Sequence, residues 1–353
     1  MENKNPDRLS KKELREQKKQ NAEHQKEIAR LNKMLVSVSK NTTTSMGLVS
    51  IEPQAGVFCF RNDRWVGIYR MVGFDKLSQE QTQEFFNIIT SRSLLRFRIT
   101  SIFVPETGAV ENYLSIIGNE TTYEAVKNKY DEAISVITGV LSKYAVSIET
   151  MSVNAVMQQI QKNYGLAQSF EYSSAIRGKK DWKKMVFDTP KDMHTYFEHK
   201  DSFGSVYYAT EYSKMKDEAF LSSFKNFGLP MVFVADFQSL DADSITDFKR
   251  SLELKYNRNV VLSATSNLIN MTFMLSFLAT SQDMRKTTED TMLSIFANKN
   301  ITLSPAVGNE VETLESIYSM GLVDFHAMRN VTLDKLPVLV LTEKEEEHGS
   351  VED

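Results

Sequence analysis

Apolar positions in this chain come in short blocks, and the spacing inside each block selects strand or helix. Gly56–Phe60 and Trp65–Val72 are rich in β-branched and aromatic residues and flank the polar run Arg61-Asn62-Asp63-Arg64, which predicts a hairpin. Ser78-Gln79-Glu80-Gln81 predicts a capped helix to about Thr90, with Phe85, Phe86, Ile88 and Ile89 on its apolar face. Arg96–Val104 alternates: Phe97, Ile99 and Ser101 point one way, Arg98, Thr100 and Ile102 the other. That reads as a strand with one wet face. After a loop come a helix over Thr121–Tyr144, a strand over Ala145–Ser152 and a helix over Asn154–Tyr164. The first half therefore reads β-β-α-β-α-β-α.

The second half holds two strand–helix–strand units almost back to back. They are Phe203–Thr210, Met215–Phe227, Leu229–Phe237 and Met271–Thr280, Asp283–Ala297, Asn300–Ser304. A helix over Asp241–Tyr256 lies between them, with Asp241, Asp243 and Ser244 suited to its start. A last helix, Glu310–Met320, meets Gly321 as a C-terminal stop. Tandem units of this kind favour a split β-α-β sheet. The expected fold class is α+β: two α/β lobes, the second ferredoxin-like with helices on one face, plus an N-terminal polar helix. The expected boundaries are a charged helix over 1–40, a linker over 41–50, a first lobe over 51–165, an irregular connection over 166–202, a second lobe over 203–335, and a short apolar strand with an acidic tail over 336–353.

The N-terminal helix is predicted from Lys11 to about Val36, opened by the capping box Ser10–Glu13. Its apolar residues, among them Leu14, Ile28, Leu31 and Leu35, are too sparse to bury it alone. It is either a solvated leader or a docking helix that pairs with a partner. A second candidate contact is the basic, aromatic run of Arg177, Lys179, Lys180, Trp182, Lys183 and Lys184. Such a run suits a solvated loop, a protein or anionic membrane contact, or nucleic acid.

Composition narrows the class. The chain has 353 residues, 41% hydrophobic and 25% charged, with a net charge of −4. That is a globular profile, and its mild negative charge argues against a surface that binds nucleic acid throughout. One cysteine, Cys59, excludes an intrachain disulfide and points to a reducing, cytosolic setting. No apolar run approaches the ~20 residues that cross a bilayer. The acidic ending Glu343–Asp353 reads as a finished C-terminus.

Catalytic signatures are missing. No glycine opens a phosphate-binding loop; Arg177-Gly178-Lys179-Lys180 lacks the upstream glycine and the metal-binding hydroxyl. Leu229–Asp236 resembles a strand that ends in a metal-holding acid, but without that loop it reads as a buried strand. No Gly-x-Gly-x-x-Gly fingerprint is present. His194 and His199 are spaced wrongly for two ligands on one helix face. No catalytic, cofactor or metal residue is assigned, and no cofactor is expected.

The order of blocks carries a resemblance. Gly56–Phe60 and Trp65–Val72 followed by Gly73-Phe74-Asp75, then Phe203–Tyr208 with Phe220–Phe227 and Pro230–Asp241, then Met271–Thr280 with Ile301–Leu303, and finally Glu310–Gly321, are similar to the N-terminal, non-motor region of the conjugative type IV secretion ATPase family, the TraE/TrbE/CagE-type proteins. The resemblance spans roughly residues 50–330. Members of that family continue into a RecA-like ATPase domain that this sequence lacks, so no catalytic residue carries over. It implies a non-enzymatic docking component of a conjugative DNA-transfer apparatus, cytoplasmic, at the inner face of the membrane. Implied partners are other conjugation proteins, a separate ATPase chain if the motor is split, or a second copy of the chain. From another class, a ferredoxin-like protein that binds single strands through Arg96, Arg98 or the 177–184 run is the rival.

Overall fold

The computed structural model describes residues 48–52, 56–60, 63–92, 95–172, 186–212, 220–256, 268–324 and 327–342, together with the isolated helical positions Arg15, Lys19, Ala22 and Lys26. Leu14, Ile28, Leu31, Leu35 and the whole run Arg177, Lys179, Lys180, Trp182, Lys183, Lys184 lie outside the described residues.

Among the described residues, thirteen strands form one antiparallel sheet. In the first half they are β1 (Leu48–Glu52), β2 (Val57–Phe60), β3 (Arg64–Val72), β4 (Arg96–Val104), β5 (Ala109–Asn119) and β6 (Ser147–Thr150). In the second they are β7 (Lys191–Asp192), β8 (Phe197–His199), β9 (Ser202–Tyr212), β10 (Met231–Ser239), β11 (Leu268–Ala279), β12 (Ile301–Pro305) and β13 (Arg329–Thr332). The helices are α1 (Gln79–Arg92), α2 (Tyr123–Leu141), α3 (Val153–Asn163), α4 (Ala242–Tyr256), α5 (Gln282–Asn298) and α6 (Glu310–Tyr318).

The main strand order is β1-β2-β3-β5-β4-β10-β11-β9-β8-β7. It is nearly a palindrome in structural terms. In the first half β3 is flanked by β5 on one side and by β2 and β6 on the other. In the second half β9 is flanked by β11 on one side and by β8 and β12 on the other. β4 and β10 occupy equivalent inner positions and pair with each other, from Met231↔Phe103 to Gln238↔Arg96. Antiparallel pairing of equivalent strands places an approximate two-fold axis between them. The helices follow the same rule. α2 and α5 both start from a hydroxyl cap, Thr122 accepting from the Ala125 amide and Ser281 from the Met284 amide. Both are followed by a non-glycine residue in the left-handed region, Ala145 and Asn300, before the next strand. The chain is thus one β-β-β-α-β-β-α-β-α plan used twice, with α4 and the segment after α6 as additions to the second copy, where the turn 221–227 stands at the place of α1.

Several expectations are corrected. β5, in a stretch expected to be loop, is a central strand between β3 and β4, so the split arrangement expected of the second half occurs in the first as well. The wet face of β4 is dry: Arg98 and Thr100 are fully buried. Helices do not keep to one face of the second half. α1, α2, α5 and the 3-10 turn Leu221–Phe227 pack on one side of the sheet with Phe97, Phe233 and Phe273. α3 and α6 pack on the other with Val66, Val234 and Met274. Leu336–Leu341 is no strand; two 3-10 turns, Leu333–Lys335 and Pro337–Leu339, fold this apolar run into the core beside α1. The connection 166–202 includes β7 and β8, which extend the sheet.

Local chemistry explains the parts that held. Ser78 and Gln81 form a reciprocal capping box, the Ser78 amide donating to Gln81 Oε1 at 2.9 Å and the Gln81 amide to Ser78 Oγ at 3.3 Å. Asp241 accepts from the Ser244 amide at 2.7 Å and starts α4. Gly67 permits a close approach: a Cβ there would sit 2.8 Å from the Tyr130 ring. With that space, the buried Tyr130 hydroxyl donates to the Trp65 or Ile116 carbonyl oxygen, each 2.8 Å away, which ties α2 across β3 and β5.

Candidate functional site

A buried polar constellation sits where the two halves meet. Arg96 and Arg98 project from β4 on one face, and Asp236 projects from β10 beside them, directly opposite Arg98 in the register. Arg98 is 0% exposed and donates through Nε and Nη2 to Asp236 Oδ2 at 3.0 and 2.7 Å. Arg96 Nε lies 2.9 Å from Asp236 Oδ1 and its guanidinium also grips Asp324. Arg64 of β3 approaches Asp324 at 3.1 Å and lies over the Phe60 ring. Three guanidinium groups thus share two carboxylates.

The excess positive charge is met by a helix end. Carbonyls at the C-terminus of a helix lack internal partners and carry partial negative charge. In the last turn of α6 and just beyond it, carbonyls are taken up by side chains. Arg98 donates to the Ser316 oxygen at 2.8 Å, Asn163 of α3 to Tyr318 at 2.9 Å, Ser115 of β5 to Met320, and Arg64 to Leu322 at 2.6 Å. Gly321, with φ +98°, makes the turn that aims them. One network therefore joins β3, β4, β5, β10, α3 and the end of α6.

Charge states follow from this packing. Burial pushes the Asp324 carboxyl up, but the hydrogen bond from Arg96 and the charges of Arg96, Arg64 and Arg98 outweigh it and hold the pKa at about 2. Burial lowers Arg64, with Asp324 opposing. Burial also pulls Arg96 down, yet Asp236 and Asp324 more than compensate, and its pKa is raised. For Asp324 the folded value lies below the unfolded one, so its contribution to stability is complete above pH ~4 and is lost as pH falls towards 2. Asp324→Asn should remove that part of the acid limb, read as a flatter dependence of unfolding free energy on pH between about 4 and 2.

The network holds parts together; every guanidinium is engaged by carboxylate or carbonyl. That changes the standing of Arg96 and Arg98, which were candidates for contact with single strands. Arg98 is sealed, and the Arg96 side chain is only 11% exposed, so neither presents a cation to phosphate.

Other titratable pairs are local. His199 Nε2 lies 2.9 Å from Asp188 Oδ2, which ties β8 to the segment before β7. His194 is exposed, with φ 72°; His24, His326 and His348 lie outside the described residues. On the opposite face, Arg285 of α5 donates to Ser205 Oγ at 2.9 Å and to Glu289, which also accepts from the Tyr207 hydroxyl. Cys59 is buried in β2. Among the described residues no group of three or more His, Cys, Asp or Glu side chains could hold a metal ion, and no helix is long and apolar enough to cross a membrane. The network was missed in the sequence reading because its partners are 138 and 228 residues apart; the available signal was two arginines on one face of a predicted strand.

No family model matches this chain, and no curated protein matches it.

Proposed function

We propose that this chain is a non-enzymatic docking component of a conjugative type IV secretion apparatus, similar to the N-terminal region of its transfer ATPase. The support is the order of sequence blocks that resemble that family, joined to one structural observation. The strands in those blocks, β2, β3, β9, β10, β11 and β12, belong to a single sheet. The Arg98–Asp236 pair locks that sheet across its centre. A double-sided, internally pinned sheet is a stiff platform, which suits a part that positions other proteins. Each half is read as a ferredoxin-like unit with an extra hairpin.

The test is capture of partners by the full-length chain from cells carrying the conjugative element. Recovery of its transfer proteins supports the reading; recovery of bulk cytosolic proteins alone defeats it. Recovery of one separate ATPase chain, with hydrolysis only in the mixture, selects the split-motor form. ATP turnover by the purified chain alone would sink both forms.

A further inference from the structure

α4 is the helix by which the second half departs from the first. β4 turns into β5 through residues 105–108, whereas β10 reaches β11 only after 240–267. The insertion is not needed to make the strand order, because the first half makes the same order without it. None of the described side chains of α4 is fully buried, and none of them belongs to either core. Ile245 and Phe248 are half-buried on one side. The opposite side carries Asp243, Asp247, Arg250 and Leu254, at the i, i+4, i+7, i+11 spacing of a single stripe. Leu254 is 78% exposed, the most exposed large apolar residue described. Asp247 and Arg250 form no ion pair among the described residues, although Lys249 and Glu253 of the same helix approach to 4.0 Å.

The stripe is acidic towards its N-terminus and basic towards its C-terminus, so it is complementary to itself when reversed. We propose that α4 pairs antiparallel with α4 of a second copy of this chain, about a two-fold axis that passes between Phe248 and Lys249. Under that symmetry Asp247 of each copy faces Arg250 of the other, and Thr246 faces Ser251. Leu254 of each covers the first turn of the other, at Ala242 and Asp243. An isologous contact of this kind closes as a dimer and leaves no open end. Two helices about 22 Å long bury less than the ~1,200 Å² of a stable complex, so the dimer is weak and sensitive to salt. The inference does not rest on the secretion reading, and either can fail alone.

Sedimentation of the full chain over a range of concentrations tests it. The expected result is a monomer–dimer equilibrium that weakens as salt rises. Asp247→Arg or Arg250→Asp alone turns two attractions into two repulsions and weakens association by about tenfold. The double variant, carrying both changes, restores it. These residues are exposed, so the fold should survive, which circular dichroism checks. A chain that stays monomeric at every concentration overturns the proposal. So does a dimer indifferent to both single variants, or a double variant as weak as either single one.

Discussion

Replacing Asp236 by alanine is expected to destabilise the chain by about 3–5 kcal/mol, the range for removing one partner of a buried ion pair. Asp236 is fully buried and holds both Arg96 and Arg98. Without it Arg98 keeps only Ser316, and a full positive charge stays in the interior at the junction of the two halves. The loss should exceed that of Arg98→Met, because there Asp236 still has Arg96 and the methionine fills most of the stem volume. Asp236→Leu combined with Arg98→Met should recover part of the deficit, since a packed apolar pair often equals a buried ionic one. Urea unfolding with matched m-values reads these differences. Equal stability of Asp236→Ala and the parent chain would show that the network carries no net constraint.

Phe296→Ala is expected to cost about 3–5 kcal/mol through loss of buried area and the cavity it leaves. Phe296 is 0% exposed and stands where α5 meets the sheet. Its ring is 5.1 Å from Phe220, 5.5 Å from Phe224 and 5.7 Å from Phe273, measured between centroids. Phe224 lies in the 3-10 turn that precedes β10 and Phe220 is its N-terminal cap residue, so the same side chain fixes both α5 and the 3-10 segment. Phe296→Leu should lose much less, because the volume is largely kept. Thermal and urea unfolding should rank the two variants in that order, with the reverse order arguing against cavity formation as the cause.

Local signals were legible and long-range ones were not. Ser78–Gln81, Asp241 and Gly321 each announce a helix end through their own side chain or backbone freedom, and each does so in the structure. β9, β11 and α5 lie within a few residues of their expected bounds because their periods are clean. β5 was missed although Glu106-Thr107-Gly108 is a turn signal and the apolar run from Tyr113 to Ile117 follows. Apolar residues stand on both of its faces because both are buried, with Ser115 between them, which hides the alternation. With β5 lost, the repeat could not be seen: the second half then seemed alone in having a split sheet. The two-sided covering was invisible for a related reason. Arg98 marks a face as wet until Asp236, far away in sequence, is known to meet it. Of the candidate contacts chosen from the sequence, only Arg96 and Arg98 fall within the described residues, and both are buried in the ion network, which, like the stripe on α4, emerges only from the geometry.

The pairing of β4 with β10 also bears on synthesis. The segment from β1 to α3 is made while β10 is still absent, since the N-terminal part of a chain emerges first, although both cores draw residues from both halves. Its inner strand, β4, then has a bare row of backbone groups, the kind of template that recruits a strand from a neighbouring nascent chain. Two such edges meeting each other would bring arginines together on the same face, and like charges across strands repel. β10 instead offers Asp236 at the matching place. Arg96 and Arg98 therefore make β4 a poor partner for a copy of itself and a matched one for β10, the strand encoded 138 residues later.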